Sequence, residues 1–269
     1  MPQTLGLIGS GMIGSAVARL AVAAGFDVIL SNTRGPDTLA GLVAELNGPA
    51  GLDGLDGRGG RGGRGGRGGR ARAATPAEAA RAGDLVVAAV PLGAFRGLPV
   101  DALHGKTVLD TANYYPERDG MVPELDSGEL TSSALLQHHL PHSHVIKALN
   151  NVTPHQLRTL ARPAGAPDRS ALPVAGDQAA PKAEAVRLLD ALGYDAVDTG
   201  PLADSWRSEP DTPVYIRPYL GAIPALDVEA FLRWTLGTPG VPVPAARVTD
   251  LVGAAVRRRA GDARLPSAG

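Results

Sequence analysis

Six residues near the start of the chain, Gly9-Ser10-Gly11-Met12-Ile13-Gly14, have the spacing that lets backbone amides meet a pyrophosphate. In such a turn the first glycine permits a tight reversal and the second a close approach to phosphate. The third lets a helix pack near its strand, and the helix N-terminus turns its positive dipole toward the anion. About twenty residues further on, a ribose-gripping carboxylate is the usual choice for NAD. This chain has Ser31-Asn32-Thr33-Arg34 there instead. Small polar donors followed by a guanidinium suit a 2′-phosphate, which takes hydrogen bonds and positive charge. The pattern points to NADP(H).

Hydride transfer between two rings needs orientation and exclusion of water more than a strong acid or base. The absence of a catalytic triad is therefore no objection, and no catalytic residue is assigned. Val90-Pro91-Leu92, an apolar loop closing a strand, is where a nicotinamide ring should lie. Asn113 follows another strand and suits a ribose or carboxamide, or a plain turn. Asn150 and Asn151 end a further strand, where one of them could orient an acceptor, and Lys147 precedes them. Lys147 reads more readily as the partner of a buried carbonyl or carboxylate than as a catalytic group. An acceptor that must be protonated would call on Lys147, Tyr215 or a histidine, and the sequence does not choose. His138, His139, His142 and His144 crowd together, but Pro141 breaks any helix joining them, so a solvated loop is expected and no metal. Trp206 could shelter the ring or anchor the end of the chain to the sheet, with Arg207 pairing Glu209 or an anionic substrate.

These residues need a frame that delivers strand ends to one edge. Residues 4–9 read as a buried strand, 12–24 as an amphipathic helix and 26–30 as a second strand, which makes a βαβ unit. Helix-like and strand-like stretches then alternate to 195–198, implying an α/β fold with a doubly wound, mostly parallel sheet and a small C-terminal lobe. The expected division is a nucleotide-binding domain over 1–150, a small α/β lobe over 151–222, and a helical segment with a flexible tail over 223–269. Residues 48–72 interrupt the plan. Residues 51–72 hold eleven glycines and six arginines with almost no apolar side chain, so the segment reads as a disordered insertion.

Of 269 residues, 44% are hydrophobic and 20% charged, which suits a globular chain with a sizeable core. The formal charge is −1, and the insertion contributes +4, so the body is acidic and no nucleic-acid partner is expected. The arginine run also lacks the aromatics that often accompany RNA-binding tracts. No cysteine is present, which excludes disulfides, thiolate metal sites and cysteine nucleophiles. No apolar stretch reaches membrane-spanning length and no basic leader precedes the first strand, so the expectation is a cytoplasmic protein without a membrane partner. A homodimer stays open.

The glycine turn and Ser31–Arg34 are joined by Val90-Pro91-Leu92, Lys106–Asn113, Val145–Asn150, Val174–Asp177 and Asp198–Leu202. In this ordered series the chain resembles the coenzyme F420-dependent NADP oxidoreductase family, over about residues 3–220. Ferric-reductase oxidoreductase domains and bacterial NADPH reductases share the pattern. The resemblance implies a Rossmann domain binding NADP(H), a deazaflavin (F420) as hydride partner, and a small C-terminal lobe over the nicotinamide. It would place Ser10, Met12 and Ile13 along the pyrophosphate, Ser31–Arg34 at the 2′-phosphate, Val90, Pro91 and Leu92 beside the nicotinamide, and Ala148 and Leu149 near the ring. Archaeal members carry a histidine where this chain has Asn150. Two other readings stand beside it: an NADPH-dependent reductase of a small metabolite, flavin or metal chelate, and a regulator that senses NADP(H) without turnover.

Overall fold

The computed structural model describes residues 3–48 and 69–258. Six parallel strands form the main sheet: β1 (Thr4–Ile8), β2 (Asp27–Ser31), β3 (Ala71–Ala73), β4 (Leu85–Ala88), β5 (Thr107–Asp110) and β6 (His144–Lys147). Their order across the sheet is β3-β2-β1-β4-β5-β6. Chain order reverses between β1 and β4, the switch point where open α/β sheets hold nucleotides beyond their carboxyl ends. The expected doubly wound fold is observed.

Both faces of the sheet are covered, and side-chain alternation shows why. Leu5, Leu7, Leu85, Val87, Leu109 and Ile146 join one buried cluster. Ile8, Val86, Ala88, Val108 and Val145, the alternate positions, join the other. Successive residues of a strand point to opposite faces, so strands buried on both sides are apolar throughout. On the first face, α1 (Met12–Ala23) buries Ala16, Val17, Leu20 and Ala21. α2 (Ala40–Asn47) continues a 3-10 turn at Pro36–Leu39. On the other face α3 (Pro76–Ala82) begins with a capping box: Thr75 Oγ1 accepts from the Glu78 amide, and the Glu78 carboxylate accepts from the Thr75 amide. α4 (Ser132–His139) is capped by Thr131 and packs beside β6.

β6 runs on into a second pair of parallel strands, β7 (Ala171–Val174) and β8 (Asp195–Asp198). The link is an antiparallel bridge in which Lys147 and Ala175 exchange amide–carbonyl bonds of 2.9 and 3.1 Å. α5 (Pro154–Thr159) packs on α1, and α6 (Ala179–Leu192) leans on β5 to β8. α7 (Val228–Thr235) follows, with buried Phe231 joining a small cluster with Tyr115, Tyr215, Ile216 and Leu220.

Two stretches differ from the sequence reading. The expected insertion lies, over 49–68, outside the described residues, but its last residues are ordered. The Gly69 amide bonds to Val22 O, and Ala71–Ala73 forms the edge strand β3 against β2. Asn47 clips that strand by donating to Ala71 O and accepting from Ala71 N, both at 2.8 Å. The second difference is α8 (Ala245–Gly253), within the expected flexible tail. It is ordered because Val248, Leu251 and Val252, spaced at i, i+3 and i+4, pack into the core beside β7 and β8. Among the described residues no helix is long and apolar enough to cross a membrane.

Candidate functional site

The glycine turn leaves β1 at the switch point. Gly9 has φ of +101°, and a Cβ there would stand 2.2 Å from Ala89 O at the end of β4. That conformation and that proximity together require glycine. A Cβ on Gly14 would stand 2.0 Å from Gly9 O, so the first turn of α1 lies directly against the loop. Gly11 is different. It caps α1 with an ordinary φ of −74°, accepts no side-chain cap, and has nothing within 4 Å of a built Cβ. The space over Gly11 is therefore open, while the first-turn amides of α1 lack intrahelical acceptors. No acidic residue lies in that first turn. This is a cradle for an anion, and a side chain at Gly11 would fill it. Ser10 and Ile13 are half-buried and Met12 is exposed along the same edge. Ser10 Oγ donates to Ser31 O, tying the turn to the end of β2.

Beyond β2 the predicted phosphate loop divides. Ser31 is fully buried and its hydroxyl donates 2.8 Å to Leu7 O, so its side chain belongs to the sheet and not to a ligand. This corrects the sequence expectation. The reason is register: Ser31 is the last residue of β2, paired with Ile8, and faces inward. Asn32, Thr33 and Arg34 remain outside. Asn32 Oδ1 accepts from the Arg34 amide, an Asx turn that shapes the loop. Thr33 and Arg34 are exposed, and the Arg34 guanidinium has no partner among the described residues. No carboxylate stands among these three residues, so the loop fits a 2′-phosphate.

At the far half of the sheet edge, Val90 is half-exposed and Pro91 exposed, while Leu92 is buried and opens a 3-10 turn. Val90 and Pro91 can face a ring; Leu92 supports them from the core. Ala148 and Leu149 cannot. Both are fully buried in the core, Leu149 at φ +63°, which corrects their expected place beside the ring. Asn113 and Asn150 instead clasp each other. Asn113 Nδ2 donates to Asn150 O at 2.8 Å, and Asn150 Nδ2 donates to Asn113 Oδ1 at 3.0 Å and to Ser208 O at 2.8 Å. Asn151 Nδ2 donates to Val214 O and Tyr219 Oη. The asparagines thus strap the ends of β5 and β6 to the 208–219 segment.

Lys147 is 1% exposed and structural in its contacts. Nζ donates to Ala112 O at 2.5 Å, Ser132 Oγ at 2.8 Å and Asp110 Oδ2 at 3.3 Å. Ser132 Oγ and N–H both donate to Glu209 Oε1, and Ser133 Oγ donates to Asp110 Oδ2. This network fixes the Ala112–Asn113 backbone at the site's floor. Arg207 pairs Asp204 at 3.5 Å, not Glu209, and stacks 4.5 Å over the Trp206 ring, with Arg257 at 5.9 Å. Trp206 anchors the chain's later residues and lines a groove with Tyr114, Glu209 and Arg257. His138, His139, His142 and His144 lie around the amino end of β6, the edge opposite the glycine turn. Among the described residues no three metal-ligating side chains converge.

The sequence reading missed Tyr115. Its hydroxyl hydrogen-bonds the Tyr215 hydroxyl, and Tyr215 Oη also accepts from Asn113 Nδ2 at 3.3 Å. Burial pushes Tyr115 up to about 12, against opposing pulls from the Tyr215 hydrogen bond and the Arg118 guanidinium. Burial and Tyr115 together push Tyr215 well above the usual phenol range. The partners are a hundred residues apart, and no local pattern signals the contact.

Comparison with known proteins agrees with this geometry. Residues 4–114 match the family described as NADP oxidoreductase, coenzyme F420-dependent. A hypothetical protein from Sinorhizobium meliloti superposes with a TM-score of 0.63 at 23% identity, covering 81% of this chain and 94% of its own. A candidate F420-dependent NADP reductase from Arthrobacter sp. FB24 gives 0.56 at 25% identity, covering 76% and 87%. No curated protein matches. With its glycine cradle and carboxylate-free ribose loop inside the matched stretch, the chain is similar over residues 4–114 to the coenzyme F420-dependent NADP oxidoreductase family.

Proposed function

We propose that this chain is an oxidoreductase that moves a hydride between NADP(H) and a deazaflavin coenzyme of the F420 type. The observation that carries the cofactor half is the open cradle over Gly11 together with the unpartnered Arg34 guanidinium. The α1 amides would hold the pyrophosphate and Asn32–Arg34 the 2′-phosphate. Val90 and Pro91 would shelter the nicotinamide, which supplies the hydride. The Asn113–Asn150 clasp would keep the floor rigid and close it against the 208–219 segment. The family match and the likeness to the Arthrobacter protein support a deazaflavin as the partner. The test is spectrophotometric: the deazaflavin band should bleach with NADPH and much less with NADH.

A second reading has its own observation. Asn150, which stands where archaeal members carry histidine, is fully engaged with Asn113 and Ser208 and offers no titratable group. That favours a small-molecule acceptor such as a flavin or an imine in place of the deazaflavin. NADPH oxidation by those acceptors, with none by the deazaflavin, would select it.

A further inference from the structure

An acceptor that takes a hydride on carbon gains an electron pair on a conjugated heteroatom, and that atom wants a proton or a strong hydrogen bond. The side chains able to supply one can be sorted by position and occupancy. Lys147 is excluded because its three N–H donors already meet Asp110, Ala112 O and Ser132. His138, His139, His142 and His144 lie around the wrong edge of the sheet. His155, on α5, is held toward its neutral form by burial and by Arg158. His104 stacks beside His142 at that same wrong edge. Tyr219 donates to Ala171 O, Tyr194 donates to Leu157 O, and Tyr114 is engaged with Gly120 O and Asp126.

Tyr115 and Tyr215 remain. They sit where the loop after β5 meets the 208–219 segment, beside Asn113, on the nicotinamide half of the sheet edge. Two hydroxyls carry two hydrogens, and the bond between them uses one. Asn113 Nδ2 is a donor to Tyr215 Oη and cannot take the other. One O–H hydrogen therefore has no acceptor among the described residues, at a site 5% and 8% exposed. A sheltered donor without an acceptor is uncommon, because leaving it unmade is costly.

We infer that Tyr115, backed by Tyr215, is the proton donor to the heteroatom of the acceptor that gains the electron pair. This rests on the oxidoreductase reading above. The cofactor supplies the hydride to the acceptor carbon. Tyr115 Oη–H breaks as the heteroatom–H bond forms, and the phenolate left behind is reprotonated from Tyr215 and then from solvent. NADPH, a proton and the acceptor thus become NADP⁺ and the reduced acceptor. The charged surroundings set which phenol donates. Arg118 lies 5.1 Å over the Tyr115 ring and favours its anion, while Asp119 and Asp211 oppose it. Asp119 is itself neutralised by Arg118 at 2.8 Å. Arg118 favours the Tyr215 anion too, but burial and Tyr115 outweigh it there, and the guanidinium lies over the Tyr115 ring.

The experiment compares Tyr115→Phe and Tyr215→Phe with the unaltered chain, using coenzyme F420, FMN and 1-pyrroline as acceptors. Tyr115→Phe should lower kcat about a hundredfold or more for whichever acceptor the unaltered chain reduces, the usual scale for losing a general acid. KM and the NADPH Kd, read by fluorescence, should stay within about threefold, and Tyr215→Phe should lose less. Without NADPH, the unaltered chain should shift the visible band of bound F420 or FMN, and Tyr115→Phe should abolish that shift. Retention of at least a third of kcat by Tyr115→Phe, or loss of kcat only in proportion to lost NADPH binding, overturns the assignment while leaving the oxidoreductase reading standing. If the unaltered chain binds NADPH but reduces no acceptor, that reading fails and the donor assignment falls with it. Should Tyr115→Phe not fold, 3,5-difluorotyrosine at position 115 nearly keeps size and raises the acidity of the phenol, so the pH–rate profile should move to lower pH and an unmoved profile would overturn the proposal equally.

Discussion

Substitution of Gly11 by valine separates cofactor binding from folding more sharply than any other change in the glycine turn. At Gly11 the backbone is ordinary, with φ of −74°, and no atom lies within 4 Å of the position a Cβ would take. Valine therefore meets no clash. Its cost to the fold is the poorer helix cap, at most about 1 kcal/mol, or a few degrees in Tm for a chain of this size. The cradle over the α1 amides, however, is the volume its side chain fills. Displacing a pyrophosphate from two charge-assisted amide bonds, each worth about 1.5–3 kcal/mol, removes roughly 3–6 kcal/mol. That is roughly a hundred- to twenty-thousandfold in Kd.

Gly14→Ala supplies the contrast. Its Cβ would stand 2.0 Å from Gly9 O, so the loop or the helix must move, and overpacking of that kind costs about 1–3 kcal/mol or more. Binding and Tm should fall together there, whereas Gly11→Val should lose binding alone. The assay is titration of NADPH fluorescence beside thermal unfolding by circular dichroism. A folded Gly11→Val chain that binds NADPH within threefold of the unaltered one would refute the placement of the cofactor.

The remaining predictions test separate parts of the site and frame. Arg34→Ala should weaken NADPH binding about ten- to a hundredfold with NADH binding and Tm unchanged, because the side chain is exposed and unpartnered among the described residues; equal losses for both cofactors would remove it from the 2′-phosphate. Lys147→Met should destabilise the chain by about 3–5 kcal/mol in denaturant unfolding, since it strands Asp110 and Glu209 inside the fold; a loss below about 1 kcal/mol would mean that water reaches the network. Asn47→Ala should cost about 1–3 kcal/mol by freeing both backbone groups of Ala71, and hydrogen exchange at β3 should rise with it.

The parts of this site that the sequence states openly are those that depend on backbone rules acting within a few residues. The glycine turn is one, since positive φ at Gly9 and the contact at Gly14 forbid other residues. The missing carboxylate at Asn32–Arg34 is another. Ser31 was misread because its type announces a donor while its strand register turns that donor onto Leu7 O. Ala148 and Leu149 were misplaced for a similar reason: position along the strand end was right, but Leu149 turns at φ +63° and is buried. β3 escaped notice because three residues beside a Gly/Arg run carry almost no periodic signal. α8 did carry one, in Val248, Leu251 and Val252, hidden by the prolines before it and the arginines after it. Tyr115 with Tyr215 and Lys147 with Glu209 join residues 100 and 62 apart, which no local pattern can announce.

That division has a physical basis in how the two halves of the site are held. The cofactor side rests on amides and one exposed guanidinium, so a short segment suffices and its rules are local. The acceptor side is held by a segment under strain. Asp211 and Ile216 adopt φ of +65° and +53°, and a β-branched residue rarely tolerates that region. At Ile216 the Arg217 amide bonds back to Tyr215 O, closing a three-residue turn of the disfavoured hand. Such a conformation costs on the order of 1–3 kcal/mol and persists only where its surroundings over-determine it. Here those surroundings are Asn151, whose carbonyl accepts from the Ile216 amide and whose side chain donates to Val214 O, and the buried cluster of Tyr115, Leu220 and Phe231. The turn fixes Tyr215, and Tyr215 fixes the hydroxyl of Tyr115. Geometry at the acceptor is therefore set by packing that spans the chain from β5 to α7, and a change anywhere along that path acts on the proton donor before it acts on the cofactor.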